Sequence, residues 1–298
     1  MLWLAPALAT LLAQVTVANW NRARKHHPIT LNFWRCIPAF LCFSPALFIS
    51  NWPQQASFYY ASILIGVVSA AHTITIFYLA AQFNGRISSI STNFTMLLSY
   101  IAWLLIDPAE QQKFLSNPWQ SSLISLCIFT AFASTFFMRS HKKDGQKGYL
   151  GISILMGVIL TACTIVGKQI LDNDVSKALQ DQVLILGFII FCTQLLGTGL
   201  ILAIRHAKAP SHSVQHTPVH LKTFSVWVLG LFGALGCVTS WAAVALAPNP
   251  AYVSAICMSA PILFLFYHKM VGVKDNANPV AGTIFTLCVV TIILLEVF

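Results

Sequence analysis

Ten stretches of nearly uninterrupted apolar residues follow one another along the chain, at 2-20, 31-49, 58-83, 87-106, 119-138, 148-171, 181-204, 223-247, 250-268 and 279-298. Most come close to the roughly 20 residues that an α-helix needs to cross a bilayer. Leu, Ala and Phe occur all round each stretch instead of at alternate positions, which favours helices over the strands of a barrel. The connections are short and leave no room for a separate soluble domain. The pattern predicts an all-α integral membrane protein with ten transmembrane helices.

Composition sharpens this picture. Of the 298 residues, 57% are hydrophobic and only 8% are charged, whereas soluble domains carry about 25% charged residues. A water-soluble enzyme is excluded. The formal charge of +9 raises the question of a nucleic-acid partner, but the basic residues sit in short segments between apolar stretches and form no continuous face, so none is expected. Eight cysteines all fall inside apolar stretches without a CxxC pair, and they read as small buried apolar residues.

The basic residues also orient the chain. Connections that follow odd-numbered stretches hold thirteen Lys and Arg, among them Arg22, Arg24, Lys25, Arg139, Lys142 and Lys143, whereas the even side holds three, Lys113 and Lys177 in connections and Lys168 near the end of the sixth stretch. The positive-inside rule then puts the odd connections in the cytoplasm and both termini outside it, in a multi-pass inner (plasma) membrane protein. The first stretch has no basic residue ahead of it, which marks a retained helix and not a cleaved signal peptide. Trp3, Trp20, Trp34, Trp52, Trp119 and Trp227 fall near the ends of stretches, as an interfacial belt requires.

Cutting at the basic connection from Arg139 to Lys147 leaves five stretches on each side, 1-138 and 148-298. An odd number per half means that the halves run in opposite directions if they share a fold. Internal similarity supports two inverted five-helix repeats: Gly66 matches Gly230, Ala70 matches Ala234, Thr75 matches Thr239 and Ala81 matches Ala245. Each half also turns sharply after its third stretch, through Asn84-Gly85 and through Pro248-Asn249-Pro250.

With these features the chain resembles the drug/metabolite transporter superfamily, in its EamA-like ten-helix branch. The Phe33-Trp34-Arg35 run, the small-residue hairpin around Gly66, Ala80, Ala81, Ser88 and Ser89, and its partner from Gly230 to Pro261 are similar to that family's pattern. The first hairpin departs from it, because no proline stands where Pro261 stands in the second half. The resemblance implies a substrate cavity between the halves, walled by the first, third, fourth, sixth, eighth and ninth helices.

Polar residues inside the stretches are the candidates for chemistry. Arg35 lies only about 6 Å along its helix from the cytoplasmic end, so it is expected to snorkel to the headgroups or, alternatively, to serve as a gating or charge contact. Lys168 has the same two readings at the opposite end of the sixth stretch. His72 lies near mid-membrane, either as a structural histidine or as a cavity residue. The fourth stretch carries Ser89, Asn93, Met96, Tyr100 and Trp103 on one face, and the first carries Thr10 and Gln14. Such spacing suits helix packing as well as a pocket wall. In the second half Trp241 is the counterpart. The candidate substrate-binding set is therefore Thr10, Gln14, His72, Asn93, Tyr100 and Trp241.

All eight acidic residues lie in connections or at outer ends, which leaves no carboxylate for a relay at mid-membrane. His212, His216 and His220 have a four-residue spacing, but Pro218 interrupts it, and neither a metal site nor any other cofactor is expected. No Walker loop, nucleophile elbow or HExxH motif supports catalysis. The expected function is a secondary transporter for a small organic metabolite such as an amino acid or related compound, and the family resemblance implies export. A lipid-linked or nucleotide-linked sugar carrier and a non-transporting membrane scaffold are the alternatives. The expected partners are a small-molecule substrate and the lipid bilayer, with a homodimer left open.

Overall fold

Asx-Pro pairs open four of the helices, and the reason is local. The Asp or Asn side chain caps the free backbone N–H groups, and the following proline, which has no N–H to satisfy, sets the first helical φ. Asp107 Oδ1 accepts from Ala109 N at 3.0 Å, Asn249 Oδ1 from Ala251 N at 2.9 Å, and Asn278 Oδ1 from Val280 N at 3.0 Å. Asn117-Pro118 repeats the pattern, with Gln120 N at 3.5 Å from Asn117 Oδ1.

The computed structural model describes residues 2–24, 26–82, 93–137, 148–172, 178–208, 224–270 and 278–297. In chain order the helices are α1 (Leu4–Arg24), α2 (Pro28–Phe43), α3 (Ala46–Ile49), α4 (Ala56–Gln82), α5 (Asn93–Ile106), α6 (Pro108–Ser116), α7 (Pro118–Phe137), α8 (Gly148–Asp172), α9 (Leu179–Lys208), α10 (Phe224–Leu246), α11 (Pro250–Cys257), α12 (Ala260–Met270) and α13 (Pro279–Val297). The described residues contain no strand. Seven segments, including Ala56–Ala81, Leu179–His206 and Phe224–Leu246, are long and apolar enough to cross a membrane, and Leu4–Ala18, Phe94–Ile106 and Pro250–Phe264 are shorter apolar helices. Outward-facing Leu64, Leu196 and Leu231 are exposed, as lipid contact requires. This is the architecture of an all-helical, multi-pass membrane protein.

Three details differ from the pattern in the sequence. The stretch at 250-268 is two helices, α11 and α12, separated at Met258 and Ser259. The stretch at 31-49 is also divided, at Ser44 and Pro45. The connection after Ile106 forms a short helix of its own, α6, whose composition is too polar to span.

Helix α1 packs along α10, α7 along α13, and α5 along α8, while α9 lies against both α2 and α4. Small residues set two of these approaches. A Cβ at Gly66 would lie 2.8 Å from Thr193 Cβ, where α4 meets α9, and one at Gly230 would lie 2.7 Å from the Arg35 carbonyl, where α10 meets α2. Both helix pairs are closer than any residue with a side chain allows. The largest apolar cluster joins α1, α5, α7, α10, α11, α12 and α13 around Met96, Tyr252, Phe264 and Phe285.

Candidate functional site

Where α1, α4, α8, α10 and α11 fail to close on one another, a cavity of about 280 Å³ remains. Apolar residues such as Ile76, Val244, Met258 and Phe264 form much of its wall. Polar groups enter from nearly every side: Gln14 on α1, Arg35 on α2, Ser69, His72 and Thr73 on α4, Thr95 on α5, Thr164 on α8, Gln194 on α9, Ser240 and Trp241 on α10, and Ser254 on α11. No Asp or Glu is among its described lining residues.

Arg35 dominates the site electrostatically. Its side chain does not snorkel: it is 4% exposed and turned inward. Nε donates to Asn32 Oδ1 at 2.9 Å, and Nη2 donates to Thr73 Oγ1 at 3.1 Å and Gln194 Oε1 at 3.3 Å. The guanidinium carbon also lies 5.5 Å from the Phe77 ring centre and 5.9 Å from that of Phe191, within reach of cation–π attraction. Distance along a helix follows from residue number, but the direction in which residue 35 faces, toward α4 and α9, does not. Thr73, one residue beyond His72, thus ties α4 to α2 through the arginine.

His72 lines the same cavity, and its Nε2 is buried without a hydrogen-bond partner among the described residues. Thr95 Oγ1, also at the wall, is buried and likewise has none among them. Gln14 is exposed and Trp241 half-buried, and both line the cavity. Gln194 escaped the sequence reading, which weighed ionisable groups first. Its signal was an amide in the middle of the apolar run from Leu184 to Ile204.

Thr10, Tyr100 and Lys168 lie elsewhere. Thr10 is buried between α1 and α10, bonded to Thr239 Oγ1 at 2.8 Å. Tyr100 faces α7, with its hydroxyl 2.7 Å from Ser125 Oγ, and Met96 and Trp103 on its face are buried in packing. Lys168 is 5% exposed, donates to the Ala245 carbonyl at 3.2 Å and lies 5.5 Å from the Trp103 ring centre, so it also turns inward. Asn93 is the first residue of α5. Ser89, His212, His216 and His220 lie outside the described residues.

A second polar cluster occupies the face that carries both chain ends. Lys113 Nζ meets Glu296 Oε2 at 2.6 Å, and the Tyr252 hydroxyl donates to Glu296 Oε1 at 2.8 Å. Glu110, buried at 9% exposure, accepts from Asn249 Nδ2 at 3.4 Å. Burial pushes the Glu110 carboxyl above its usual range, and nearby Lys113 and the Asn249 hydrogen bond oppose the shift. Trp3 packs on Tyr252 with ring centres 6.3 Å apart, which brings the start of α1 to the end of α13.

No protein-family profile and no curated protein matches the chain. Solved structures do: 22 chains match. One crystal structure superposes over 99% of this chain and 96% of its own with a TM-score of 0.65, at 12% sequence identity. At that identity the likeness speaks for the fold alone, and it extends over essentially the whole chain.

Proposed function

We propose that the protein is a secondary transporter that moves a small organic metabolite, such as an amino acid or a related compound, by alternating access around the central cavity. The cavity carries this reading. Its volume, about 280 Å³, is close to that of small-ligand pockets, its wall is mostly apolar with a few convergent polar groups, and both halves of the sequence contribute to it. A membrane scaffold needs no such space.

Membership of the EamA-like ten-helix branch, with two inverted repeats, belongs to the same proposal. The exchange of packing partners supports it. Gly66 of the third stretch lies against the seventh, and its sequence counterpart Gly230 of the eighth lies against the second. That is the relation expected of a two-fold axis in the membrane plane. The distribution of Lys and Arg supports both termini outside the cytoplasm. Export as the physiological direction rests on the family resemblance.

The test is a screen of purified protein for thermal stabilisation by a metabolite library, followed by uptake of each hit into proteoliposomes. The expected result is a class of small organic metabolites that both stabilises the protein and exchanges across the bilayer. Stabilising compounds that never cross, at any gradient, would overturn the transporter reading.

A further inference from the structure

Resting on the reading of the cavity as a transport site, we infer that it takes an organic anion, a carboxylate on a small apolar or aromatic body, and that Arg35 receives the charge. By its position in the sequence Arg35 is either a headgroup anchor or a substrate, gating or charge contact; the geometry points to the contact. Three of the contacts that hold its guanidinium use Nε and Nη2, and all go to neutral oxygens, those of Asn32, Thr73 and Gln194. Nη1 donates to no group among the described residues. It points at Gly233, where a Cβ would lie 2.7 Å from it. A side chain at 233 would cover this donor, and glycine leaves it open to the cavity, which both residues line.

Neutral acceptors satisfy donors but do not neutralise a buried charge, and among the described residues no carboxylate lines the cavity to do so. An entering carboxylate supplies the missing charge and matches the planar fork of the guanidinium. His72 adds Nε2, a second polar atom with no partner among the described residues, to the same wall. An ammonium group, that of an amino acid included, would meet Arg35 with no anionic partner among the described residues, so the proposed metabolites narrow to acids without an amine. Trp241, Ile76 and Phe264 give the rest of the ligand an apolar surface. The cavity is too large for a bare halide to fill, so the anion is expected to bring an organic body.

The test uses purified full-length protein with three probes that share one body: hydrocinnamate, its primary amide and the corresponding amine, with chloride as a fourth probe. Affinity is read by titration and by thermal stabilisation. Hydrocinnamate should bind about tenfold or more tightly than the amide, the loss expected for a hydrogen bond to a charged group, and the amine and chloride should not stabilise. Arg35→Gln should abolish the preference for acid over amide, and Arg35→Lys should retain part of it. Gly233→Ala leaves Arg35 in place but crowds Nη1, and it should weaken the acid more than the amide; it decides the matter if Arg35→Gln does not fold. Equal binding of acid and amide, tighter binding of the amine, stabilisation by chloride alone, or failure of all three probes to bind folded wild type would overturn the inference. Uptake of metabolites into proteoliposomes is a separate readout. Movement of neutral or cationic compounds would sink the anion assignment and leave the transporter standing, whereas acid binding without movement would do the reverse.

Discussion

At the face that carries the chain ends, Lys113 closes on Glu296 and Tyr252 donates to the same carboxylate, while Asn249 donates to Glu110. Around the central cavity, among the described residues, Arg35 has only neutral partners and His72 Nε2 has none. Both regions remove charge from water inside an apolar bundle, yet only the first supplies the opposite charge. Pairing of that kind fastens α6, α11 and α13 to one another. The cavity is left incomplete in a way that costs stability and that a ligand can repair, which is the usual signature of a site and not of a fastener.

The contrast makes a double dissociation the most informative experiment on stability. Glu296→Gln removes the charge that Lys113 and Tyr252 share. Because Lys113 is 40% exposed and remains solvated, the cost is discounted to about 1–3 kcal/mol. It should appear as a lower denaturation midpoint with ligand binding per folded molecule unchanged. Arg35→Gln should show the opposite profile, lost binding with a smaller change in midpoint. If Glu296→Gln abolished binding while the midpoint held, the two regions would have been assigned the wrong way round.

A smaller effect separates the carboxylates within the terminal face. Burial raises the Glu110 pKa, so the native state holds this proton more tightly than the unfolded chain does. Its stabilising contribution is therefore present below the ordinary carboxylate range and is lost as pH rises through the raised native value. Glu110→Gln keeps an acceptor for Asn249 and removes the titration. It should raise the melting temperature at a pH of about 7 and leave it nearly unchanged at about 3.5. Melting curves that shift equally at both would show that the carboxyl is not held protonated by burial.

Much of the architecture was legible because membrane spans write themselves as long apolar runs bounded by Asx-Pro and basic segments. The breaks were less so. Met258 and Ser259 interrupt an apolar stretch without a charge to mark them, and α6 forms in a connection whose Asp107 cap is visible only once a helix is suspected. At the site, Gln14, His72 and Trp241 stood out as polar or amphipathic residues amid apolar ones, and they do line the cavity. Thr10 and Tyr100 stood out for the same reason, but they bond Thr239 and Ser125 between helices. A hydroxyl that faces a neighbouring helix and one that faces a cavity leave the same trace in a single sequence. Arg35 was found but misdirected, since span depth is read from residue number and azimuth is not. Gln194 was passed over because an uncharged amide is a weaker outlier than a cation, although it holds that cation in place.

The central claim is that the cavity opens to each side of the membrane in turn, and this can be measured before any substrate is known. In a background without the eight native cysteines, Ser69→Cys places one thiol on the α4 wall of the cavity. A membrane-impermeant thiol reagent is then applied to the outside or the inside of sealed, oriented proteoliposomes. The account predicts modification from either side, with the bilayer remaining sealed to the reagent. Modification from one side only under all conditions, or from neither, would contradict it.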